Sequence, residues 1–136
     1  MADCIFCKIA GGEIPSYTVY EDNDFRAIMD IAPASQGHVI ILPKVHAADV
    51  FELEEGIASK IYVVAQKIAK AVKEATGCDG VNILQNNGEA AGQTVFHLHM
   101  HVIPRWNNDG IKIKWVPGET DKTDIEAVAC KIKENM

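Results

Sequence analysis

Positive charge is scarce in this 136-residue sequence: 13 Lys and Arg stand against 19 Asp and Glu, a formal net charge of -6. A general nucleic-acid binder displaces counterions with a basic surface, so that class of function is excluded. A local anion site is not excluded, because backbone amides and neutral imidazoles can cradle a phosphate without net positive charge. Long apolar runs are missing too. Val39–Leu42 is a run of four, where a membrane span needs about 20 residues, so no membrane partner is expected. The stretch MADCIFCKIAGGEIP has an early Asp and no extended apolar core; it does not read as a secretory signal, and a cytoplasmic location is the expectation. Thiols stay reduced there, which turns the four cysteines toward metal or redox roles rather than structural disulfides. Repeats and low-complexity segments are absent.

What is present is apolar residues, 48% of the chain, enough to bury the core of one ordinary domain. Residues 4–9 can form a short turn of helix. Thr18–Tyr20 and Phe25–Met29 read as strands around the turn Glu21-Asp22-Asn23-Asp24. After a loop over Pro33–Gly37, the β-branched run His38–Leu42 reads as a strand ended by Pro43. Ile57, Ile61, Val64, Ala65, Ile68, Ala71 and Val72 recur at three- and four-residue steps. That spacing predicts an amphipathic helix over roughly Gly56–Ala75, capped by Gly77. Val81–Gln85 is a predicted strand, Asn86–Gln93 a loop, and Phe96–Ile103 a strand stopped by Pro104. A polar, irregular stretch over 105–120 leads to a short helix at Thr123–Glu134, with Ile125, Val128, Ala129 and Ile132 on one side. The expectation is an α+β domain with a five-stranded antiparallel sheet, one long helix and a C-terminal helix. Residues 1–136 form one unit: a core of about 4–105 and an extension over 106–136.

The most informative segment is Phe96-His97-Leu98-His99-Met100-His101-Val102. In a strand, successive side chains point to opposite faces. His97, His99 and His101 then share one face, spaced roughly 6.5–7 Å apart, and Leu98, Met100 and Val102 share the other. Three of the chain's five histidines alternate in this way. Three readings follow from the residues: an exposed sheet face, a catalytic zinc held by three imidazoles, or nucleophilic catalysis. An imidazole with an ordinary pKa near 6.5 is neutral and nucleophilic at pH 7, and a covalent phospho-histidine splits one hard step into two. Separately, Cys4-Ile-Phe-Cys7 is a C-x-x-C motif, a redox pair or half a zinc site.

His97-Leu-His-Met-His-Val-Ile resembles the His-φ-His-φ-His-φ-φ signature of the histidine-triad (HIT) family of nucleotide hydrolases and transferases. The block Asp30-Ile-Ala-Pro-Ala-Ser-Gln-Gly-His38-Val-Ile-Ile-Leu-Pro-Lys-Val-His46 resembles the upstream block of its Hint branch, and Asn86 and Gly92-Gln93-Thr94 the loop before the triad. The resemblance covers residues 4 to about 104 in order.

The resemblance implies that His99 is the nucleophile at the α-phosphorus of a purine nucleotide. His101 binds a phosphate oxygen, His38 orients the triad, and His97 is its first member. Asn86, Gln93 and Thr94 serve the phosphate and leaving group, Thr94 standing where the Hint branch has Ser. Asp30 accepts bonds from the ribose hydroxyls, and Ile5, Phe6, Ile9, Ile28 and Ile31 sandwich the base. It further implies structural Zn2+ on Cys4, Cys7, His46 and His97, a homodimer with joined sheets, and hydrolysis of purine nucleoside phosphoramidates. Alternatives are a dinucleoside polyphosphate hydrolase, a nucleotide-binding regulator with weak catalysis, and a zinc hydrolase with His97, His99 and His101 as ligands.

Overall fold

The computed structural model describes residues 3–136. In chain order the elements are α1 (Ile5–Ala10), β1 (Thr18–Glu21), β2 (Phe25–Met29), β3 (Val39–Pro43), α2 (Glu55–Thr76), β4 (Gly80–Leu84), β5 (Met100–Arg105) and α3 (Lys122–Glu134), with a 3-10 turn at Glu89–Ala91. Five strands form one sheet in the order β1-β2-β3-β5-β4, every pair antiparallel. The α+β expectation holds. Asp22 builds the first hairpin: its Oδ1 accepts the amides of Asp24 and Phe25, both at 2.8 Å, and its Oδ2 accepts the Tyr20 hydroxyl.

Parity assigns the two faces of the sheet. Phe25, Ala27, Val39, Ile41 and Val102 turn toward α2, which buries Ile57, Ile61, Val64, Ala65, Ile68 and Val72 against them. Each such aliphatic side chain gains roughly 1.5–3 kcal/mol from leaving water, before conformational entropy is subtracted. Ile28, Ile40 and Leu42 turn to the opposite face, where Phe6, Ile9 and Ala10 of α1 cover them. His101 pairs with Ile40 and with Leu84 across the ladder and shares this second face. The functional side of the sheet is thus the side that the short helix covers only in part.

Gly77 ends α2 in the left-handed region at φ 67°, as its position predicts. Gly37, at φ 106°, lies where a Cβ would come within 2.9 Å of Thr76 Cγ2 and 3.2 Å of Pro104 Cγ. Only glycine lets the loop before β3 pass between those two side chains.

Two expectations are corrected. The last strand does not run over Phe96–Ile103; it begins at Met100 and continues to Arg105. Residues before Met100 leave the ladder because other bonds take their backbone groups: the Leu98 amide donates to the Ala47 carbonyl at 2.7 Å, and the His97 carbonyl accepts from the His99 ring. Pro104 does not stop the strand. It lies beyond the last β3 pair, Val39–Val102, where no neighbour on that side asks for its missing N–H. The apolar stripe of α3 does not pack on this chain: Ile125, Val128 and Ile132 are each more than half exposed and no residue of the helix is buried. Among the described residues, no helix is long and apolar enough to cross a membrane.

Candidate active site and metal centre

The largest cavity, about 610 Å³, opens on the α1 face of the sheet. His99, His101, Asp30 and Thr94 line it together with the apolar Ile5, Phe6, Ile9, Ile28 and Ile31. All nine were singled out in the sequence. Ile14, Pro15, Ser16 and Tyr17 also line it. The segment between α1 and β1 carries no motif, so nothing in the sequence marked these four.

Hydrogen bonds fix the protonation of each ring. The Ala34 amide donates to His38 Nδ1 at 3.0 Å, so the proton of a neutral His38 sits on Nε2. That Nε2–H meets His101 Nδ1 at 2.8 Å. His101 Nδ1 therefore accepts, and its Nε2 carries a proton in a ring that lines the cavity. His99 donates Nδ1–H to the His97 carbonyl at 2.8 Å, which leaves the lone pair on Nε2. The His99 and His101 rings lie 4.9 Å apart, closer than strand spacing predicts, because His99 stands outside the ladder. Phe6 meets the His99 ring edge-on at 5.0 Å and restricts its rotation.

Burial holds all four imidazoles below their ordinary pKa. Desolvation is the main cause at His38, His97 and His99, opposed in part by Asp30 at His38 and His99 and by the Pro43 carbonyl at His97. His101 is pushed down to about 4, by desolvation first and then by His99 and His38. The rings are neutral at pH 7. Asp30 Oδ1 accepts the Ala32 amide at 2.8 Å, and its Oδ2 lies 3.6 Å from His38 Nε2. The carboxylate thus faces both the cavity and the imidazole relay.

His97 takes another direction. It is fully buried and donates Nε2–H to the Pro43 carbonyl at 2.8 Å, so its lone pair sits on Nδ1. Nδ1 lies 3.5 Å from Cys4 Sγ, 3.5 Å from Cys7 Sγ and 3.2 Å from His46 Nδ1, with Cys7 Sγ 3.3 Å from His46 Nδ1. A tetrahedral zinc with ordinary bond lengths puts N and S ligands about 3.5 Å apart and two N ligands about 3.3 Å apart. The four residues fit that polyhedron. Two expectations fall here. His97 is not in the cavity wall and turns to Cys4, Cys7 and His46, and His97, His99 and His101 do not converge on one metal. Asp30, His38 and His101 are also close enough to share a cation. However, a ring proton already occupies the space between His38 and His101, so that group is a relay.

Two further expectations are redirected. The Gln93 amide does not reach the cavity: its Oε1 accepts the Gly88 amide and its Nε2 donates to the carbonyls of Ala48 and Val95. It staples the loop that carries Thr94. Asn86 is not in the cavity wall; it sits two residues past the last ladder pair, Leu84–His101, against Gly92. Trp115 is 85% exposed, and Trp106 lines a separate cavity beside Arg105, at the other end of β5.

Residues 11–108 match the HIT domain. The chain is 37% identical over 134 residues to adenosine 5'-monophosphoramidase hnt1 of Schizosaccharomyces pombe, covering 98% of each chain. A crystal structure of a HIT family protein from Bacillus anthracis superposes with a TM-score of 0.92 at 44% identity, over 98% of this chain and 97% of that one. A Zn-bound histidine triad family protein from Mycobacterium smegmatis superposes with a TM-score of 0.78 at 35% identity, over 99% of both chains. With residues 11–108 matched and a relative 37% identical over nearly its whole length, the chain belongs to the HIT domain family.

Proposed function

We propose that this protein is a nucleotide hydrolase that cleaves purine nucleoside phosphoramidates or related nucleotidyl conjugates and releases the nucleoside monophosphate. The observation that carries the reading is the ring-nitrogen arrangement: a lone pair on His99 Nε2 beside a proton on His101 Nε2, in one cavity. The Schizosaccharomyces pombe relative, named an adenosine 5'-monophosphoramidase, supports it.

Asp30 takes the ribose hydroxyls and the isoleucines with Phe6 hold the base, which sets the α-phosphorus against His99. The His99 Nε2 lone pair attacks phosphorus, a P–Nε2 bond forms, and the P–N bond to the leaving amine breaks. The amine leaves on the solvent side, past the Thr94 hydroxyl, with a proton taken from water. His101 Nε2–H donates to a non-bridging oxygen and stabilises its charge. The nucleotidyl-imidazolium keeps its Nδ1–H on the His97 carbonyl, which accepts more strongly once the ring is cationic. Water then attacks phosphorus, His99 returns to neutral imidazole, and the proton leaves with the monophosphate and solvent.

Cys4, Cys7, His46 and His97 would hold a Zn2+ ion, whose contribution would be structural: with it bound, these four side chains would tie α1 to the segment bearing His99. Residues 1–136 act as one domain in the cytoplasm, as a homodimer. The outer edge of β4 and the uncovered stripe of α3 support the dimer. The test is incubation with adenosine 5'-phosphoramidate beside a diadenosine polyphosphate. AMP and ammonia released from the first at a higher kcat/KM support the reading, and turnover of the second alone overturns it.

A further inference from the structure

Cys4 and Cys7 flank the turn of α1 that carries Phe6, the ring set edge-on against the proposed nucleophile. The same two sulfurs face His97 Nδ1 at 3.5 Å. One chemical event at the cysteines therefore acts at once on the metal cluster, the apolar wall of the cavity and the orientation of His99. Both residues are only half-buried, whereas His97 is wholly enclosed, so an oxidant reaches the cluster from the sulfur side. The Cys7 amide donates to Cys4 Sγ at 3.4 Å, and both sulfurs belong to one cluster of donor atoms within 4.8 Å of one another. Beyond the sulfurs, α1 is held by Phe6, Ile9 and Ala10 against Ile28, Ile40 and Leu42, and of its six residues only Ala10 is buried.

We propose that Cys4 and Cys7 are a peroxide-sensitive thiol pair whose oxidation to a disulfide releases the cation and opens the nucleotide cavity. The proposal rests on the zinc reading given under Proposed function. One thiolate attacks a peroxide oxygen, the O–O bond breaks, and a sulfenic acid forms with loss of hydroxide. The second thiolate attacks that sulfur, the S–S bond forms, and a second hydroxide leaves. Two thiolates lose two electrons, hydrogen peroxide with two protons becomes two waters, and Zn2+ loses both sulfur ligands. His97 and His46 alone do not complete a tetrahedral site. Freed from the cross-link, α1 takes Ile5, Phe6 and Ile9 away from the cavity.

The experiment uses the full chain with Cys130→Ser, which removes the exposed thiol of α3. Zinc in the purified protein is measured first. Hydrogen peroxide is then added while zinc release is followed with a chromophoric chelator and AMP affinity by calorimetry. The expected result is zinc release in step with loss of two of the three remaining thiols, and a peptide about 2 Da lighter that joins Cys4 to Cys7. AMP affinity falls by about tenfold or more, and dithiothreitol with zinc restores it. A Cys4–Cys7 disulfide with zinc retained or AMP affinity unchanged overturns the proposal. So does a pair that stays reduced while the buried Cys78 is consumed. Protein purified without zinc overturns the metal reading and the release step with it. Reduced protein that fails to hold AMP overturns the nucleotide reading alone, since zinc release and disulfide mapping still report on the pair.

Discussion

His38 Nε2 and His101 Nδ1 lie 2.8 Å apart, and the amide of Ala34 on the far nitrogen of His38 decides which of them holds the proton. From that bond His101 presents a donor, while the His97 carbonyl separately leaves His99 with a lone pair on Nε2. Two backbone groups, which cannot titrate, are the origin of the order.

Replacing the nucleophile separates chemistry from binding. His99→Ala is expected to lose turnover of adenosine 5'-phosphoramidate by on the order of 10⁴-fold or more, the scale on which covalent nucleophiles fail. AMP affinity, measured by calorimetry, should change by less than about tenfold, because Asp30 and the apolar walls remain. Loss of both together would mean that the ring binds rather than reacts.

Removing the orienting ring tests the relay. His38→Ala leaves His101 Nδ1 without its donor, so the neutral ring can carry its proton on either nitrogen. A kcat drop of about 10–100-fold with KM little changed is expected, the usual cost of losing an orienting partner. Nitrogen-15 shifts of the imidazoles should show a single tautomer of His101 in the parent protein and a mixture in the variant.

The pH dependence follows from burial. In the proposed mechanism His99 reacts as neutral imidazole, and desolvation keeps its pKa below the ordinary 6.5. The rate kcat/KM is expected to be flat from about pH 8 down to about 6.5 and to fall only below that, as the ring takes a proton. Stability moves in the same direction. The folded rings bind protons less readily than the unfolded chain, so their contribution is fully present above about pH 6.5. It is lost as pH falls from there toward the folded pKa values, about 4 for His101. Chemical denaturation at pH 7.5 and pH 5 measures the second effect.

Metal removal is a test of structure rather than of chemistry. If Cys4, Cys7, His46 and His97 hold zinc as proposed, chelation, or Cys7→Ser, should lower the melting temperature and the amount of folded protein, since those ligands join α1 to the segment bearing His99. Any molecules that stay folded keep the His99 nucleophile. A metal that acted on substrate would instead stop turnover before any loss of fold, seen by parallel circular dichroism and activity measurements.

Much of this was legible in the sequence because it rests on period and parity. The three- and four-residue spacing from Ile57 to Val72 marks α2 within a residue at either end, and Gly77 marks its cap. The alternation of His99 and His101 with Leu98 and Val102 assigns the site to one face and the core to the other. Long-range bonds are what the sequence does not carry. The Ala47 carbonyl pulls Leu98 out of the ladder, so the last strand starts at Met100. The Gln93 amide finds Ala48, 45 residues away, and becomes a staple instead of a ligand. Pro104 survives inside a strand only because β3 has already ended beside it. Ser16 and Tyr17 reach the cavity through the placement of α1, which no local pattern encodes.

The covalent step is tested most directly at phosphorus itself. An adenosine 5'-phosphoramidate made chiral at phosphorus by one sulfur is hydrolysed in oxygen-18 water, and the configuration of the product is read by phosphorus NMR. Two successive displacements, on and off His99, predict net retention. Net inversion would mean that water attacks in one step, and the role given to His99 would be wrong.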